Sequence, residues 1–102
     1  MRCYLAGPMA GMPELNFPAF HKAAAFLRAR GHDVFNPAEI EKGNMNGDES
    51  YLREVMAHEL LYICKQAEAI ALLPGWKESK GACAEFMVAR ALGLKMISLE
   101  TL

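Results

Sequence analysis

Residues 69–76 read Ala69-Ile70-Ala71-Leu72-Leu73-Pro74-Gly75-Trp76. A strand with one wet face alternates apolar and polar residues, so an unbroken apolar run stopped by Pro-Gly is the pattern of a strand covered on both faces. That places 69–73 in the middle of a sheet. Working outward, Ser50 to Ala67 and Ser79 to Leu92 carry apolar residues at helical spacing, the second closed by Gly93, and Lys95-Met96-Ile97-Ser98-Leu99 reads as a last strand. Upstream, Cys3-Tyr4-Leu5-Ala6 is a short apolar strand ended by Gly7-Pro8, with a long loop from Gly7 to Asn16. Phe17 to Arg30 then repeats Phe17, Phe20, Ala24 and Leu27 at helical spacing, with Gly31 as its C′ residue. His32 to Pro37 reads as a second short strand, and the polar stretch Ala38 to Glu49 as a loop. This alternation predicts an α/β fold: a small doubly wound, flavodoxin- or Rossmann-like, mostly parallel sheet of four to five strands with helices on both faces. Ligands of such sheets bind beyond the C-terminal ends of the strands. Gly7-Pro8, Asn36-Pro37 and Pro74-Gly75-Trp76 stand at those ends.

With 102 residues, 11 basic and 12 acidic side chains and a formal charge of −1, the chain reads as one domain, 1–102. Such a chain can bury roughly 60–65% of its unfolded surface, enough for a core. Near-neutral charge without a basic stripe argues against a nucleic-acid polymer as partner. Cys3, Cys64 and Cys83 form no ligand or disulfide pattern and suit a reducing compartment, reading as small buried apolar residues. The first apolar run is too short for a signal-peptide core, and the sequence lacks the ~18-residue apolar run of a membrane helix. A cytoplasmic protein away from the membrane is expected.

Projected on a helical wheel, 82–94 is apolar almost all round, which predicts burial of nearly every face, yet Glu85 sits between Ala89 and Leu92. A carboxylate near a helix N-terminus is favoured as the anion by the macrodipole, whereas burial opposes the charge. Such a group suits a nucleophile or general base; the alternative is an acid filling a packing gap. Glu59 repeats the anomaly within the apolar arc Leu52, Val55, Met56, Leu60, Tyr62, Ile63 and Ala67, with Glu54, His58 and Lys65 opposite. If the two acids converge at the sheet edge they form the pair used in retaining glycosyl chemistry; otherwise Glu59 is a tucked edge residue or a subunit contact.

Gly75-Trp76-Lys77-Glu78-Ser79-Lys80-Gly81 joins a buried strand to a helix, so its backbone N–H groups and the Ser79 hydroxyl define an anion site, compatible with Ser79 also acting as N-cap. The loop is not GxxxxGK[ST], and Gly7-Pro8-Met9-Ala10-Gly11 is not GxGxxG. Trp76 either stacks on a base or covers the sheet edge. His21, His32 and His58 lack metal-ligand spacing, so no metal is expected, and the seven methionines read as core filler.

Tyr4-Leu5-Ala6-Gly7-Pro8-Met9, Asn36-Pro37-Ala38-Glu39, and Ala69 through Trp76 with Ser79-Lys80-Gly81-Ala82 and Glu85 resemble the nucleoside 2-deoxyribosyltransferase superfamily over nearly the whole chain. More narrowly they are similar to a small branch frequent in phages and prophages, related to 2′-deoxynucleoside 5′-phosphate N-hydrolases. The resemblance implies that Glu85 is the nucleophile attacking C1′ of deoxyribose, that Tyr4 positions it, and that Ser79 with Gly81 cradles a 5′-phosphate. It aligns Glu59-Leu60-Leu61-Tyr62-Ile63 with a segment whose aspartate helps protonate the leaving base, Glu59 being one methylene longer. Glu68 also replaces an aspartate usual in the branch, and Pro8 and Ala10 replace serine and arginine groups of the hydrolases. Relatives complete their sites with a neighbouring subunit, so a homodimer or larger homo-oligomer is implied, with the Pro8–Asn16 loop near the interface.

The expected function is an N-glycosidase or 2-deoxyribosyltransferase acting on a nucleoside or its 5′-monophosphate by double displacement without a cofactor, with Gly7, Pro8, Asn36, Gly75, Trp76, Ser79 and Gly81 as candidate substrate contacts. The rival is a catalytically silent nucleotide-binding module in which Glu85 only contacts ribose hydroxyls. A partner-binding domain is the third reading.

Overall fold

The computed structural model describes residues 1–41 and 49–100. Strands β1 (Arg2–Ala6), β2 (Asp33–Phe35), β3 (Ala69–Leu72) and β4 (Lys95–Ser98) form one sheet in the order β2-β1-β3-β4, with every pairing parallel. Helix α1 (Phe17–Ala29) joins β1 to β2, α2 (Ala38–Glu41) and α3 (Glu49–Lys65) lie between β2 and β3, and α4 (Lys80–Ala91) joins β3 to β4. The doubly wound α/β expectation holds.

The register explains the unbroken apolar run. Tyr4 pairs with Ile70, Leu5 with Ala71 and Ala6 with Leu72. Because side chains alternate, Tyr4, Ala6, Ile70 and Leu72 pack with Ile63 of α3 and Ala82 and Ala89 of α4, while Leu5, Ala71 and Leu73 meet Phe20, Ala23, Ala24 and Leu27 of α1 on the opposite face. From β1 the chain winds outward through α1, and from β3 it winds the other way through α4. The winding therefore reverses between β1 and β3, which is where such sheets open a crevice.

Gly7 lies where the chain leaves β1. A Cβ there would stand 2.8 Å from Leu73 Cβ and 3.0 Å from its Cδ1. Leu73 is buried and its N–H donates to the Ala6 carbonyl at 2.9 Å, so it has little room to retreat. Gly7→Ala is expected to destabilise the domain by about 1–3 kcal/mol through overpacking, read as a lower urea midpoint with an unchanged slope. An unaltered midpoint would show that the strand end yields freely.

At the opposite end of β1 the Arg2 N–H donates to Glu68 Oε1 at 2.8 Å and Arg2 Nε donates to the Gln66 carbonyl at 2.7 Å, clipping the strand to the α3–β3 connection. The Arg2 backbone bond and the Arg2 charge hold the Glu68 carboxyl below its usual range. Glu68 thus has a structural partner far from the strands' C-terminal ends.

A second clip joins α1 to α2. Arg28 Nη1 and Nη2 donate to the two Glu39 carboxylate oxygens at 2.8 and 2.9 Å, and Nη2 also donates to the Val34 carbonyl at 2.9 Å. These bonds hold the Glu39 carboxyl below its ordinary value. A carboxyl depressed in the folded state stabilises above its unfolded pKa, and that contribution is lost as pH falls through the folded value. Both side chains are about two-fifths exposed, 42% and 43%, so screening leaves the pair worth roughly 0.5 kcal/mol. Arg28→Gln is expected to flatten the acid limb of the stability curve below about pH 4.3 by that amount, measured by urea unfolding at several pH values. An acid limb identical to the parent's would deny the pair any role.

Several local readings change in three dimensions. The stretch read as a loop from Ala38 begins with α2, because Asn36 Oδ1 accepts the Ala38 N–H at 3.0 Å and starts a helical turn; the remainder, 42–48, lies outside the described residues. Helix α4 is not buried all round: only the side facing the sheet and α3 can be covered, and Met87 and Leu92 remain 57% and 50% exposed. Leu52 of the α3 arc is likewise exposed, and of the cysteines Cys3 alone is buried.

Candidate active site

At the reversal between β1 and β3 lies a cleft of about 590 Å³. Tyr4, Gly7, Pro8, Glu59, Ser79, Gly81 and Glu85 all line it. Strand β1 contributes Tyr4 from its α3/α4 face and, beyond its end, Gly7 and Pro8; α3 contributes Glu59; the start of α4 contributes the rest.

Glu85 is 5% exposed, and the Tyr4 hydroxyl donates to its Oε2 at 2.8 Å. A hydrogen bond to the ionised form offsets part of the desolvation that burial imposes and fixes the carboxylate's orientation. The Tyr4 ring is itself packed, with centroids 5.3 Å from Phe35 and 6.3 Å from Tyr62. Glu59 is 6% exposed. The cleft is therefore lined by two buried carboxyl groups supplied by different helices.

Ser79 is the N-cap of α4, its Oγ accepting the Ala82 N–H at 3.1 Å. The expected array of open loop amides is smaller than the sequence suggested. A turn at Trp76–Glu78 takes the Trp76, Glu78 and Ser79 N–H groups for the Leu73, Gly75 and Trp76 carbonyls. Lys80 and Gly81, in the first turn of α4, carry the amides that an α-helix leaves without an intrahelical acceptor.

Three candidate contacts stand outside the lining. Asn36 is buried, capping α2 through Oδ1 while Nδ2 meets His21 Nδ1 at 3.3 Å. Trp76 packs on Phe86 with centroids 4.6 Å apart, both half-buried against the core on the α3/α4 face of the sheet. Gly75 adopts φ +85° with Pro8 Cγ 3.5 Å from where its Cβ would be, so it shapes the turn that brings Ser79 to the cleft.

Residues not singled out by sequence complete the cavity. Met9, Phe20, Val55 and Met56 give it apolar walls, so two of the methionines read as filler line the cleft, and Glu78 and Lys80 add charge. Their signal was adjacency, Met9 to a strand end and Lys80 to Ser79. The Gly7–Asn16 loop is a defined structure: Glu14, Leu15 and Asn16 have φ of 52°, 53° and 60°, and Asn16 Nδ2 donates to the Pro8 carbonyl at 2.9 Å. Left-handed conformations cost non-glycine residues roughly 1–2 kcal/mol each, so this loop is held by its surroundings. Among the described residues no cluster of three or more His, Cys, Asp or Glu is placed to hold a metal ion, and no helix is long and apolar enough to cross a membrane.

This parallel doubly wound fold is similar to that of a solved 2-deoxyribosyltransferase. The solved 2-deoxyribosyltransferase of the psychrotolerant bacterium Bacillus psychrosaccharolyticus, described as a biocatalyst for nucleoside synthesis, matches with a TM-score of 0.75 and 25% identity, over 96% of this chain and 71% of that one. The chain belongs to the DUF4406 family, described as a domain of unknown function, whose profile matches residues 1–98. No curated protein matches the chain.

Proposed function

We propose that the protein is an N-glycosidase of the 2-deoxyribosyltransferase type, acting on a deoxynucleoside 5′-monophosphate or nucleoside through a glycosyl-enzyme intermediate on Glu85. The observation that carries this reading is the buried bond from the Tyr4 hydroxyl to Glu85 Oε2 at 2.8 Å, in the cleft that Glu59 also lines. A Glu85 carboxylate oxygen attacks C1′ while the C1′–N bond breaks, its electron pair leaving on the base, which takes a proton from Glu59 or a water bound to it. Water then attacks C1′, its proton passing to the Glu59 carboxylate as the C1′–O bond to Glu85 breaks and Glu85 leaves as the carboxylate; a second base in place of water gives transfer. Tyr4 orients the nucleophile. Ser79 and Gly81 take the phosphate at the α4 N-terminus. The cleft volume lies in the range of pockets that enclose a molecule of nucleotide size, roughly 300–1,000 Å³.

The same reading includes the phage-type branch with Pro74-Gly75-Trp76, Ser79, Gly81-Ala82 and Glu85, a cytoplasmic nucleotide pool as substrate source, and a homodimer or larger homo-oligomer covering part of the exposed apolar surface of Met87, Leu92 and Met96. The test is chromatography of free base after incubation with deoxynucleosides, their 5′-monophosphates and NAD. Base release names the substrate class. Binding of a nucleotide, seen as a raised melting temperature, with no base released from any of them would make the protein the silent module.

A further inference from the structure

The sheet has two edges, and the chain covers only one of them. Strand β2 spans three residues, and the carbonyl of its middle residue, Val34, accepts Arg28 Nη2 at 2.9 Å. At β4 the Lys95 and Leu99 N–H groups donate inward to the Glu68 and Leu72 carbonyls at 3.2 and 2.9 Å, and strand alternation turns Ile97 the same way. The N–H and C=O groups of Met96 and Ser98 therefore point away from β3, and among the described residues no hydrogen bond takes them. Lys95, Met96 and Ser98 are exposed, and the strand carries no proline. An open edge of this kind is a template for another strand.

We propose that β4 pairs antiparallel with β4 of a second copy of this chain, across a two-fold axis at Ile97, joining two four-stranded sheets into one. The axis stands perpendicular to the sheet, so each face continues as the same face and Ile97 meets Ile97. That register sets Met96 opposite Ser98 of the second copy, and Ser98 opposite Met96 of the second copy. All the outward backbone groups then meet outward groups, as hydrogen-bonded pairs flanking a close, non-hydrogen-bonded pair at Ile97. Lys95 falls opposite Leu99 instead of another lysine, so no like charges oppose each other. Moving the axis to Met96 would set Ser98 against Leu94, whose N–H already donates to the Ala89 carbonyl at 3.0 Å. A self-complementary edge selects a second copy over an unrelated strand. Leu92, three residues before the strand, and Met96 within it are 50% and 41% exposed and supply apolar surface for the contact to cover.

The contact makes definite the homo-oligomer of the reading above and rests on that reading for nothing else. Antiparallel pairing points the C-terminal ends of the strands in opposite directions. The two clefts then open at opposite ends of the joined sheet, and neither copy lines the other's cleft through this contact.

Size exclusion with light scattering is expected to give a mass twice that of the chain at micromolar concentration. Met96→Pro removes an outward N–H and no bond to β3, a position where an edge strand tolerates proline. It is expected to weaken dimerisation at least about tenfold in sedimentation equilibrium, with circular dichroism unchanged. Ile97→Cys, in a chain whose exposed Cys64 and half-buried Cys83 are replaced by serine, is expected to form a covalent dimer on mild oxidation. A non-hydrogen-bonded pair brings Cα atoms to roughly 4.5 Å, inside the roughly 4.4–6.8 Å of a disulfide. Met87→Cys, 57% exposed on α4, is expected to stay uncrosslinked under the same oxidation. A monomeric parent, a folded Met96→Pro protein that dimerises as the parent does, absence of the Ile97→Cys crosslink, or crosslinking through Met87→Cys in preference to it overturns the proposal. Should Met96→Pro not fold, the crosslinking pair decides alone. Base release by the parent tests the glycosidase reading separately, and its absence leaves the edge contact unaffected.

Discussion

Glu85→Gln is expected to lower base release by roughly a thousandfold or more, equivalent to about 4 kcal/mol of transition-state stabilisation. The substitution is nearly isosteric, and the Tyr4 hydroxyl that donates to Glu85 Oε2 at 2.8 Å can donate to the amide oxygen instead. Packing is therefore retained. The lost property is the negative charge that bonds to C1′, which the neutral amide cannot supply. Nucleotide binding should persist, because affinity draws on the apolar walls and the α4 N-terminus as well. Single-turnover base release and melting temperature with nucleotide, measured side by side, separate the two properties. Turnover within tenfold of the parent would remove Glu85 from the nucleophile's role, and joint loss of binding and turnover would recast it as a sugar contact.

Ile70→Ala is expected to remove about 2–5 kcal/mol of unfolding free energy. Ile70 is 0% exposed on a strand flanked by β1 and β4, and its side chain shares a cluster with Tyr4, Ile63 and Ala82. Truncation leaves a cavity between the sheet and two helices that rigid neighbours cannot close, and a small domain holds only about 5–15 kcal/mol in total. Leu61→Ala is the internal control: this leucine is 57% exposed, and its loss should cost no more than about 0.5 kcal/mol. Urea unfolding of both variants checks the contrast. A similar shift at the two positions would contradict the two-faced burial of β3.

What the chain determines locally was readable in its order of residues. An unbroken apolar run means burial on both faces, and helical spacing between such runs means crossovers, so the parallel α/β class and the approximate extents of α1, α3 and α4 follow from periodicity alone. The oddity of Glu85 and Glu59 on apolar helix faces was visible in the same way, because a helical wheel is also a local construction. Tertiary structure alone decided what these groups meet. Tyr4 and Glu85 are 81 residues apart, and only the β2-β1-β3-β4 order brings β1 beneath α4 so that hydroxyl and carboxylate touch. The same order converts Met9 and Met56 from filler to cleft wall. The physical reason is common to all of these: a side chain's neighbours across a sheet or between helices are set by strand order and register, and these depend on the sum of many distant contacts that no single stretch of sequence contains.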